Sequence, residues 1–435
     1  MISSDYIKLS FTTDIWTNDS AKVCLMSLTA HCIDENFKRK KFVLCATELD
    51  ERHTGEYINE VFIRMLERWS IPLGKVLVVL RDAGANMKKA MKIGGIPSFD
   101  CGNYQIHLVV TEAAKSRRTI IDCIARADLK RIQKAQLDKK TALIPIQDVS
   151  TRWNTLYDML MRHGELEDAL RMYTGNIELK ITDFELIQKI TNILKGFKLI
   201  TEKLSGSYAT MGDLFILVKS LLLSLADSED PIFSGIKSFR LTLRDDLKRR
   251  MDGLENNDIV AISTFLNPRF KEKHFSSKYI CGEVRRKVAD AVQNLDLEIR
   301  NVESDEVVPV SKHYKPSCGS GLIDIFAMLN ESDDEEEDRQ TNTPIVDSIN
   351  QYVAEQRIPS DADPFAWWNM NKHRYVSLSK LARIFLSAPP TSVPSEQLFS
   401  SAGIIYEPTR NRLSGDKAEM LLFLKYNLCL LKFEY

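Results

Sequence analysis

The chain has 435 residues, 44% of them hydrophobic and 27% charged, and its formal net charge is −1. This length allows two or three domains, or one domain with a large insertion, and the hydrophobic fraction supports a sizeable core. The balanced charge excludes a chain that is basic throughout, so a DNA-binding surface must be a local patch. No apolar run reaches membrane-spanning length and Met1 precedes no signal-like segment, so we expect no membrane partner.

Cysteine spacing bounds the metal and redox chemistry. The 8 cysteines include no Cys-x-x-Cys pair. They therefore predict neither a zinc site nor a disulfide framework, and we expect reduced thiols in the cytosol or nucleus.

The first part of the chain alternates predicted strands and helices. Period-two alternation and short apolar runs predict strands at residues 6–13, 23–33, 41–49, 75–82 and, more weakly marked, 144–149. Apolar residues at helical spacing predict helices from Thr54 to the break at Pro72, from 83 to 93 and from 104 to 114. The order β-β-β-α-β-α-β-α is typical of an α/β, ribonuclease-H-like core with a mixed five-stranded sheet.

Two aspartates follow predicted strands of this core. In such a fold the first strand and the strand after the first helix are parallel neighbours, so Asp14 and Asp82 would meet at adjacent strand ends. Joined by a third carboxylate, they provide the hard oxygen ligands that a pair of Mg²⁺ ions needs. Such a pair activates a water or a 3′-hydroxyl and stabilises the leaving oxygen of a phosphodiester. The alternative is that both residues only cap strand ends, where Asp is common.

A third carboxylate is presented near the end of the chain. Pro389, Pro390 and Pro394 favour an extended backbone before it. Ser395 is then predicted as the N-cap of a helix that carries Glu396 in its first turn.

The middle of the chain reads as helical and contains two basic clusters. Apolar residues recur every three or four positions over 156–173, 184–204, 211–227 and 236–254, which indicates a helical bundle. The clusters span 115–140 and 244–250, and the first includes Lys115, Arg117, Arg118, Lys130 and Arg131. Both clusters fit a phosphate-contacting groove or a solvated helix face, and charge alone does not choose between them.

An acidic segment separates this bundle from the C-terminal part. Residues 302–342 combine prolines, glycines and the run ESDDEEED at 331–338, which predicts disorder around the run. The run could compete with DNA for a basic groove, but we favour the alternative of a solubilising loop. Helices are predicted again over 343–356, from Pro364 onward and over 420–431. The last two expose more apolar surface than one core face needs, which favours a protein interface.

Several short blocks in this order resemble the hAT-superfamily transposases and their domesticated relatives, the BED zinc-finger proteins. The blocks are TDIWT at 13–17, RDAGANM at 81–87, TRWNT at 151–155, FLNPRF at 265–270, PFAWW at 364–368, TSVPSEQLFSSAG at 391–403 and RNRL at 410–413. The resemblance covers almost the whole chain.

The resemblance implies roles for individual residues. Asp14, Asp82 and Glu396 match the acidic, metal-binding triad, which holds Mg²⁺ or Mn²⁺ in an active enzyme. Trp153, of the Arg152-Trp153 pair, matches an aromatic that stacks on a flipped base; the alternative is an ordinary interface tryptophan. The C-terminal part is implied to dimerise, with the candidate contacts Trp367, Trp368, Leu398, Phe399, Leu421 and Leu424.

The resemblance also implies a domain plan. Residues 1–158 would begin the ribonuclease-H-like core, 159–300 would form a helical insertion, 301–342 an acidic disordered linker, and 343–435 the dimerisation region that completes the core. Because the chain starts just before the first strand, we expect it to lack the BED finger of the family.

Departures from the family pattern bear on activity. Tyr104 stands where the family has the histidine of a Cys-x-x-His pair, Ala83 follows Asp82, and Gln397 replaces an arginine after the glutamate. These changes favour a nuclear, transposase-derived protein that dimerises and contacts DNA, in transcriptional or chromatin regulation, with weakened catalysis. The alternative is an active, Mg²⁺-dependent cut-and-paste transposase. In both cases the expected partners are DNA and a second copy, not a small molecule.

Overall fold

The structure is a computed structural model that describes residues 6–18, 22–115, 143, 146, 153–171, 181–226, 233–304, 344–406 and 414–428. The strands are β1 (Leu9–Thr12), β2 (Ile15–Asn18), β3 (Val23–Ile33), β4 (Arg39–Glu48), β5 (Val76–Arg81) and β6 (Ser98–Asp100). The helices beside them are α1 (Gly55–Arg68), α2 (Ala85–Ile93) and α3 (Gly102–Lys115).

The remaining described part of the chain is helical. Its helices are α4 (Trp153–Glu165), α5 (Glu167–Arg171), α6 (Ile181–Leu204), α7 (Met211–Ser224), α8 (Lys237–Arg250), α9 (Asp258–Leu266), α10 (Lys278–Ser304), α11 (Pro344–Ala354), α12 (Pro364–Asn371), α13 (Val376–Phe385), α14 (Val393–Ile405) and α15 (Gly415–Asn427). Within the described ranges, none of these helices has the length and hydropathy needed to cross a membrane.

The sheet is mixed, as predicted. β1 pairs antiparallel with β3 and parallel with β5, and β5 pairs parallel with β6. β4 pairs antiparallel with β3 along its other edge. β2 continues the register of β1 along β3, so the two short strands act as one interrupted strand. Asp14 lies at the interruption.

The structure differs from the predicted strands in two places. The sheet has six described strands rather than five, because β2 and β6 are short and only partly buried and so leave a weak sequence pattern. The predicted strand at 144–149 lies outside the described residues apart from Ile146. The predicted linker at 301–342 begins later, since α10 continues to Ser304, and its remainder also lies outside the described residues.

Both faces of the sheet are covered, which explains the continuous apolar run of β5. Val76 and Val79 pack on the side of α1 and α2, whereas Val78 and Leu80 join the large core formed with α3 and the helical part. A third cluster lies between β3, β4, α14 and α15. A strand buried on both faces needs apolar residues at every position, as the sequence predicted.

Arg39, at the start of β4, joins the sheet to two distant segments. Its Nη1 donates to the backbone oxygens of Ser207 (3.0 Å) and Ala209 (2.7 Å) in the helical part. Its Nη2 donates to those of Leu386 (2.8 Å) and Ser387 (3.3 Å), just before α14. Burial lowers the pKa of Arg39 to about 10, so the guanidinium stays charged at neutral pH. One side chain thus pairs carbonyls that would otherwise lack donors.

We expect Arg39→Ala to destabilise the protein strongly. Truncation leaves several carbonyls unpaired, and each unsatisfied buried group costs about 1–3 kcal/mol, so the free energy of unfolding should fall by roughly 3 kcal/mol. Urea unfolding followed by tryptophan fluorescence measures this change. Lys38→Ala, at the exposed neighbouring position, is the control and should shift the free energy of unfolding by less than about 0.5 kcal/mol. Equal midpoints for both variants would contradict this role of Arg39.

Candidate functional site

Asp14 and Asp82 lie where two parallel strands end side by side. The backbone N–H of Thr13 makes a 3.0 Å hydrogen bond to the oxygen of Leu80, and beyond this point the chain leaves β5. Asp82 follows directly after Arg81, the last residue of β5. The predicted parallel pairing of these strands is confirmed. Both carboxylates are half-buried at the same edge of the sheet.

The pKa of Asp14 is raised by its burial and by its charged neighbours. Burial is the main cause that raises the pKa of Asp14 to about 7, and the negative charges of Asp82 and Glu396 add to it. A 2.9 Å hydrogen bond from the backbone N–H of Ile15 to Oδ1 of Asp14 opposes the rise. Asp14 therefore lies within electrostatic range of both other carboxylates, although Glu396 is 382 positions away in the sequence.

The lack of a side chain at Gly84 leaves space for the Asp82 carboxylate. Its N–H donates to Oδ1 of Asp82 over 3.2 Å. A Cβ at position 84 would lie 3.1 Å from Oδ2 and 3.2 Å from Oδ1 of Asp82, which is tighter than normal contact. A side chain at Gly84 would therefore push the carboxylate out of its position.

Hydroxyl pairs attach the segment before Glu396 to β1. Ser387 Oγ lies 2.9 Å from Ser10 Oγ, and Ser395 Oγ donates to Thr12 Oγ1 over 3.1 Å. Thr12 Oγ1 also lies 3.1 Å from Nε2 of His31 on β3. All five side chains are buried. These contacts fix the start of α14 against the strand that leads to Asp14.

The same segment is fixed to the end of β6 and the start of α3. Gly102 N–H donates to the oxygen of Pro390 over 3.0 Å, and Ser392 N–H donates to Sγ of Cys101 over 3.3 Å. Cys101 N–H in turn donates to the oxygen of Arg81 over 2.7 Å. A Cβ at Gly102 would lie 3.1 Å from the Pro390 oxygen, so this close approach requires glycine.

Helix α14 starts earlier than the sequence predicted. Its N-cap is Ser392 and its first residue is Val393, whereas Ser395 was expected to be the N-cap. Pro394 does not delay the helix. Backbone N–H groups in the first turn of a helix have no carbonyl partner within the helix, so a proline there loses no hydrogen bond. The hydroxyl of Ser395 is used instead for the contact with Thr12. Glu396 remains in the first turn, exposed toward the acidic edge.

Asp82 and Glu396 both lie within electrostatic range of Asp14, but the three carboxylates do not form a closed cage. In the described part of the chain, no three His, Cys, Asp or Glu side chains are close enough together to hold a metal ion as placed. The donor set nevertheless fits a hard divalent cation, since it offers only carboxylate oxygens, and burial together with the charges of Asp82 and Glu396 raises the pKa of Asp14. The metal-binding role of Asp14, Asp82 and Glu396 stays a prediction.

Tyr104 and Arg250 border the acidic edge. Burial raises the pKa of Tyr104, the charges of Asp82 and Asp14 add to this, and Arg250 at the end of α8 opposes it. Tyr104 is 37% exposed, so its ring lines the open side of the site. Arg250, from the second basic cluster, thus lies within electrostatic range of Tyr104.

Cys101 and His107 are engaged elsewhere. Cys101 is fully buried against Ser392. His107 packs its ring 5.9 Å from that of Tyr104, and its Nδ1 accepts from the backbone N–H of Trp153 over 3.2 Å. His107 therefore fixes the start of α4 to α3.

The predicted nucleic-acid contacts are only partly described. Arg152, Arg117, Arg118, Lys130 and Arg131 lie outside the described residues. Lys115, the exposed last residue of α3, pairs with Glu112 at 2.7 Å. Trp153 is 5% exposed and belongs to the large core, a placement that matches the interface alternative. Its base-stacking role stays a prediction.

The candidate dimerisation residues differ in exposure. Trp368 is fully buried, with Nε1 donating to the oxygen of Leu266 over 2.8 Å. Leu398 and Phe399 pack under β3 and β4 and are also buried, so burial in the monomer argues against direct partner contacts for these three. Leu421 and Leu424 are 45% and 46% exposed. Trp367 is half-buried against its neighbour Trp368.

Sequence reasoning missed the residues that position Glu396. They are Ser10, Thr12, Arg39, Cys101 and Ser387. The sequence contained a signal for two of them. Ser10 and Thr12 alternate with Leu9 and Phe11 in a strand predicted to be buried, and buried hydroxyl groups need hydrogen-bond partners. Their partners could not be read from sequence, since they lie between 291 and 383 positions away.

Comparison with known proteins defines the class. Residues 12–93 match the ZBED1 RNase-like domain, and residues 348–428 match the hAT family C-terminal dimerisation region. The chain therefore joins an RNase-like domain to a hAT dimerisation region, as its sequence blocks predicted.

The homologues are ZBED proteins and hAT transposases. "Zinc finger BED domain-containing protein 4" of Homo sapiens is 25% identical over 98% of this chain and 38% of its own length. "Putative AC transposase" of Zea mays is 23% identical over 96% of this chain and 56% of its own length. "Zinc finger BED domain-containing protein RICESLEEPER 1" of Oryza sativa subsp. japonica is 24% identical over 91% and 61%. The chain thus spans less than two thirds of these relatives.

We expect Asp14→Asn to stabilise the metal-free protein at alkaline pH. The folded-state pKa of Asp14 is about 7 against an ordinary 3.8, so the folded chain keeps a proton that the unfolded chain has lost. Stability therefore falls as pH rises between these values. Replacing the Asp14 carboxyl by an amide removes this pH-dependent loss of stability, which is worth roughly 2 kcal/mol at this half-buried position.

Thermal unfolding in a chelator should show a higher Tm for Asp14→Asn at about pH 8 and a smaller gain as the pH approaches about 4. Asp361→Asn, at an exposed turn, is the control and should show no pH-dependent gain. An Asp14→Asn variant less stable than the wild type at alkaline pH would contradict the raised pKa of Asp14.

Proposed function

We propose that this protein is a transposase-derived nuclear protein that self-associates and binds DNA, acting in transcriptional or chromatin regulation with weakened catalysis. The observation that supports the proposal is that Asp14 and Asp82 end two parallel neighbouring strands, with the charges of Asp82 and Glu396 both raising the pKa of Asp14, while the described residues form no closed ligand cage. The convergence supports descent from a phosphodiester-cleaving site. The open arrangement and Tyr104 support reduced activity.

A divalent cation is the cofactor that this donor set favours. We propose Asp14, Asp82 and Glu396 as its ligands, with Mg²⁺ or Mn²⁺ as the ion. Such an ion, when bound, stabilises negative charge on a phosphodiester. The chain itself contributes by orienting the ligands, since Gly84 gives Asp82 its room and the segment before α14 fixes Glu396.

DNA is the partner that the charges beside the acidic edge favour. Arg249 and Arg250 end α8, and Asp246 holds both of them. The side chain of Arg249 is 65% exposed, and Arg250 acts on Tyr104 at the acidic edge. Arginine side chains and a proposed divalent-cation site on one surface suit DNA, because its phosphates can contact the arginines and the cation.

The nuclear and regulatory parts of the proposal rest on the relatives. One is named "Putative transcriptional regulator tpeD" and is 24% identical over 98% of this chain. Others are named putative transposases. Because the chain covers only part of each, their whole activities enter here only as proposals.

The second candidate is an active cut-and-paste transposase that uses the same three carboxylates. The retained convergence of Asp14, Asp82 and Glu396 favours it. The two candidates share the site and differ in whether the site cleaves DNA.

The cation proposal predicts that Gly84→Ala weakens metal binding while preserving the fold. The added methyl group would displace the Asp82 carboxylate, so the Mn²⁺ dissociation constant should rise by about 10-fold. Titration calorimetry measures it. Gly74→Ala is the matched control, since a Cβ there has no atom within 4 Å, and its affinity should equal that of the wild type. A wild-type chain that does not bind Mn²⁺ would sink the cation proposal.

The DNA proposal predicts binding without efficient cleavage. The purified chain, given duplex DNA taken from both flanks of its coding region, should bind with steep salt dependence. Neutralising the helix end with Arg249→Gln and Arg250→Gln together should reduce the salt slope by about 2. Arg64→Gln, an exposed change on α1, should leave the slope unchanged.

The same DNA separates the two candidates when Mn²⁺ is added. We expect little cleavage and no difference between the wild type and Asp82→Asn. Robust hairpin formation that Asp82→Asn abolishes would establish the transposase instead, and absence of DNA binding would contradict both.

A further inference from the structure

A cavity lies between the segment that follows α9 and the C-terminal end of α11. We call it the Lys271 pocket; its volume is about 460 Å³, and it is lined mainly by Lys271, Glu272, Lys273, Glu355, Gln356 and Arg357. A 3.2 Å hydrogen bond from the N–H of Ile358 to the oxygen of Pro268 joins the two segments. The volume lies within the range of about 300–1,000 Å³ that is typical of pockets for small ligands.

Lys271 places a buried positive charge in the wall of this pocket. Its side chain is 2% exposed, and Nζ donates to the backbone oxygens of Tyr352 and Glu355 at the end of α11. Nζ also lies 4.6 Å from the centre of the Tyr352 ring. An ammonium group has three donors, and the third has no partner in the described part of the chain. Lys271 therefore offers a fixed charge that retains a donor for a ligand.

The acidic side chains of the pocket are neutralised by arginines from outside it. Glu272 accepts from Nε and Nη2 of Arg285, over 2.8 and 2.9 Å. Glu355 pairs with Arg374. Neither arginine lines the pocket. The two carboxylates therefore leave the positive charges of the pocket uncancelled.

Two further cations of the pocket are exposed. Lys273 and Arg357 form no ion pair with any described residue. Burial lowers the pKa of His274, and three neighbouring positive charges lower it further, those of Arg357, Lys273 and Lys219. The charge of Arg357 also helps to lower the pKa of Lys271 to about 8, for which burial is the main cause. The cations therefore lie close enough to repel one another, and an anion between them would relieve this repulsion.

We propose that the Lys271 pocket binds a phosphate group, carried by a small phosphorylated molecule or by a nucleic-acid backbone. Three cations exceed the single charge of a carboxylate, whereas a phosphate monoester carries about −1.5 to −2 at pH 7. The fork of Arg357 suits two phosphate oxygens, and the lysines act as point charges.

The pocket is distinct from the acidic edge. None of the residues that line it is among the charges that act on Asp14 or Tyr104. The inference therefore goes beyond the proposed function and does not rest on DNA binding at the acidic edge.

Titration calorimetry of the full chain with inorganic phosphate, at constant ionic strength, tests the site. Lys273→Gln combined with Arg357→Gln should raise the phosphate dissociation constant by at least about 10-fold, because two of the three cations are lost. Lys271 is kept, since it also holds the end of α11. The matched control combines Lys195→Gln with Lys278→Gln, which removes the same charge at two exposed positions outside the pocket. Its dissociation constant should equal that of the wild type.

A labelled DNA duplex separates the two sources of the phosphate. If the pocket takes backbone phosphates, the Lys273→Gln, Arg357→Gln chain should bind the duplex more weakly than the control does, with a salt slope smaller by about 2. If the pocket takes a small phosphorylated molecule, both double variants should bind the duplex equally and differ only in phosphate affinity. Thermal unfolding of each variant verifies that its fold is retained.

Two results would overturn the Lys271 pocket as a phosphate site. The first is that the Lys273→Gln, Arg357→Gln chain and the wild type have the same affinity for phosphate and for the duplex. The second is that both double variants lose affinity equally, because net charge alone would then explain the loss. Either result leaves the DNA contacts proposed for Arg249 and Arg250 untouched, since those are tested by their own variants.

Discussion

The site depends on how the segment from Leu386 to Ser395 is attached to the sheet. Hydroxyl contacts to β1, backbone hydrogen bonds to the start of α3 and the guanidinium of Arg39 hold it from three directions. Each contact joins residues that are hundreds of positions apart, so each adds a long-range constraint to the entry into α14. Glu396 lies within electrostatic range of Asp14 because this segment is attached at several points.

The repulsion between the carboxylates is the cost of this arrangement. Asp14 is partly removed from water and lies near two other negative charges, and its pKa rises as a result. Groups that destabilise the fold in this way are common at functional sites, where a ligand compensates for the strain. Neither Tyr104 nor His107 offsets this negative charge. Tyr104 lies near the carboxylates as a neutral phenol, and His107 bonds to the start of α4.

Local patterns in the sequence predicted most elements and two of the three acidic positions. The run at β5 identified a strand buried on both faces, and parallel pairing with β1 brought Asp14 and Asp82 together. What failed depended on distant contacts. Ser395 was predicted as an N-cap because a serine after prolines commonly caps a helix, but Thr12 uses its hydroxyl. Trp368 suggested an interface, yet the carbonyl of Leu266 provides its partner within the monomer. Burial within one copy and burial between two copies leave the same apolar pattern in a sequence.

The pKa of Asp14 tests the central claim most directly. It can be followed by NMR of carboxyl-labelled aspartate in the metal-free protein, for the wild type and for Glu396→Gln. We expect the wild-type carboxyl to titrate near a pKa of about 7, and we expect a lower pKa in the variant because one neighbouring negative charge is gone. The same pKa in both proteins would show that Glu396 does not reach the acidic edge, and a wild-type pKa near the ordinary 3.8 would contradict the burial of Asp14 as well.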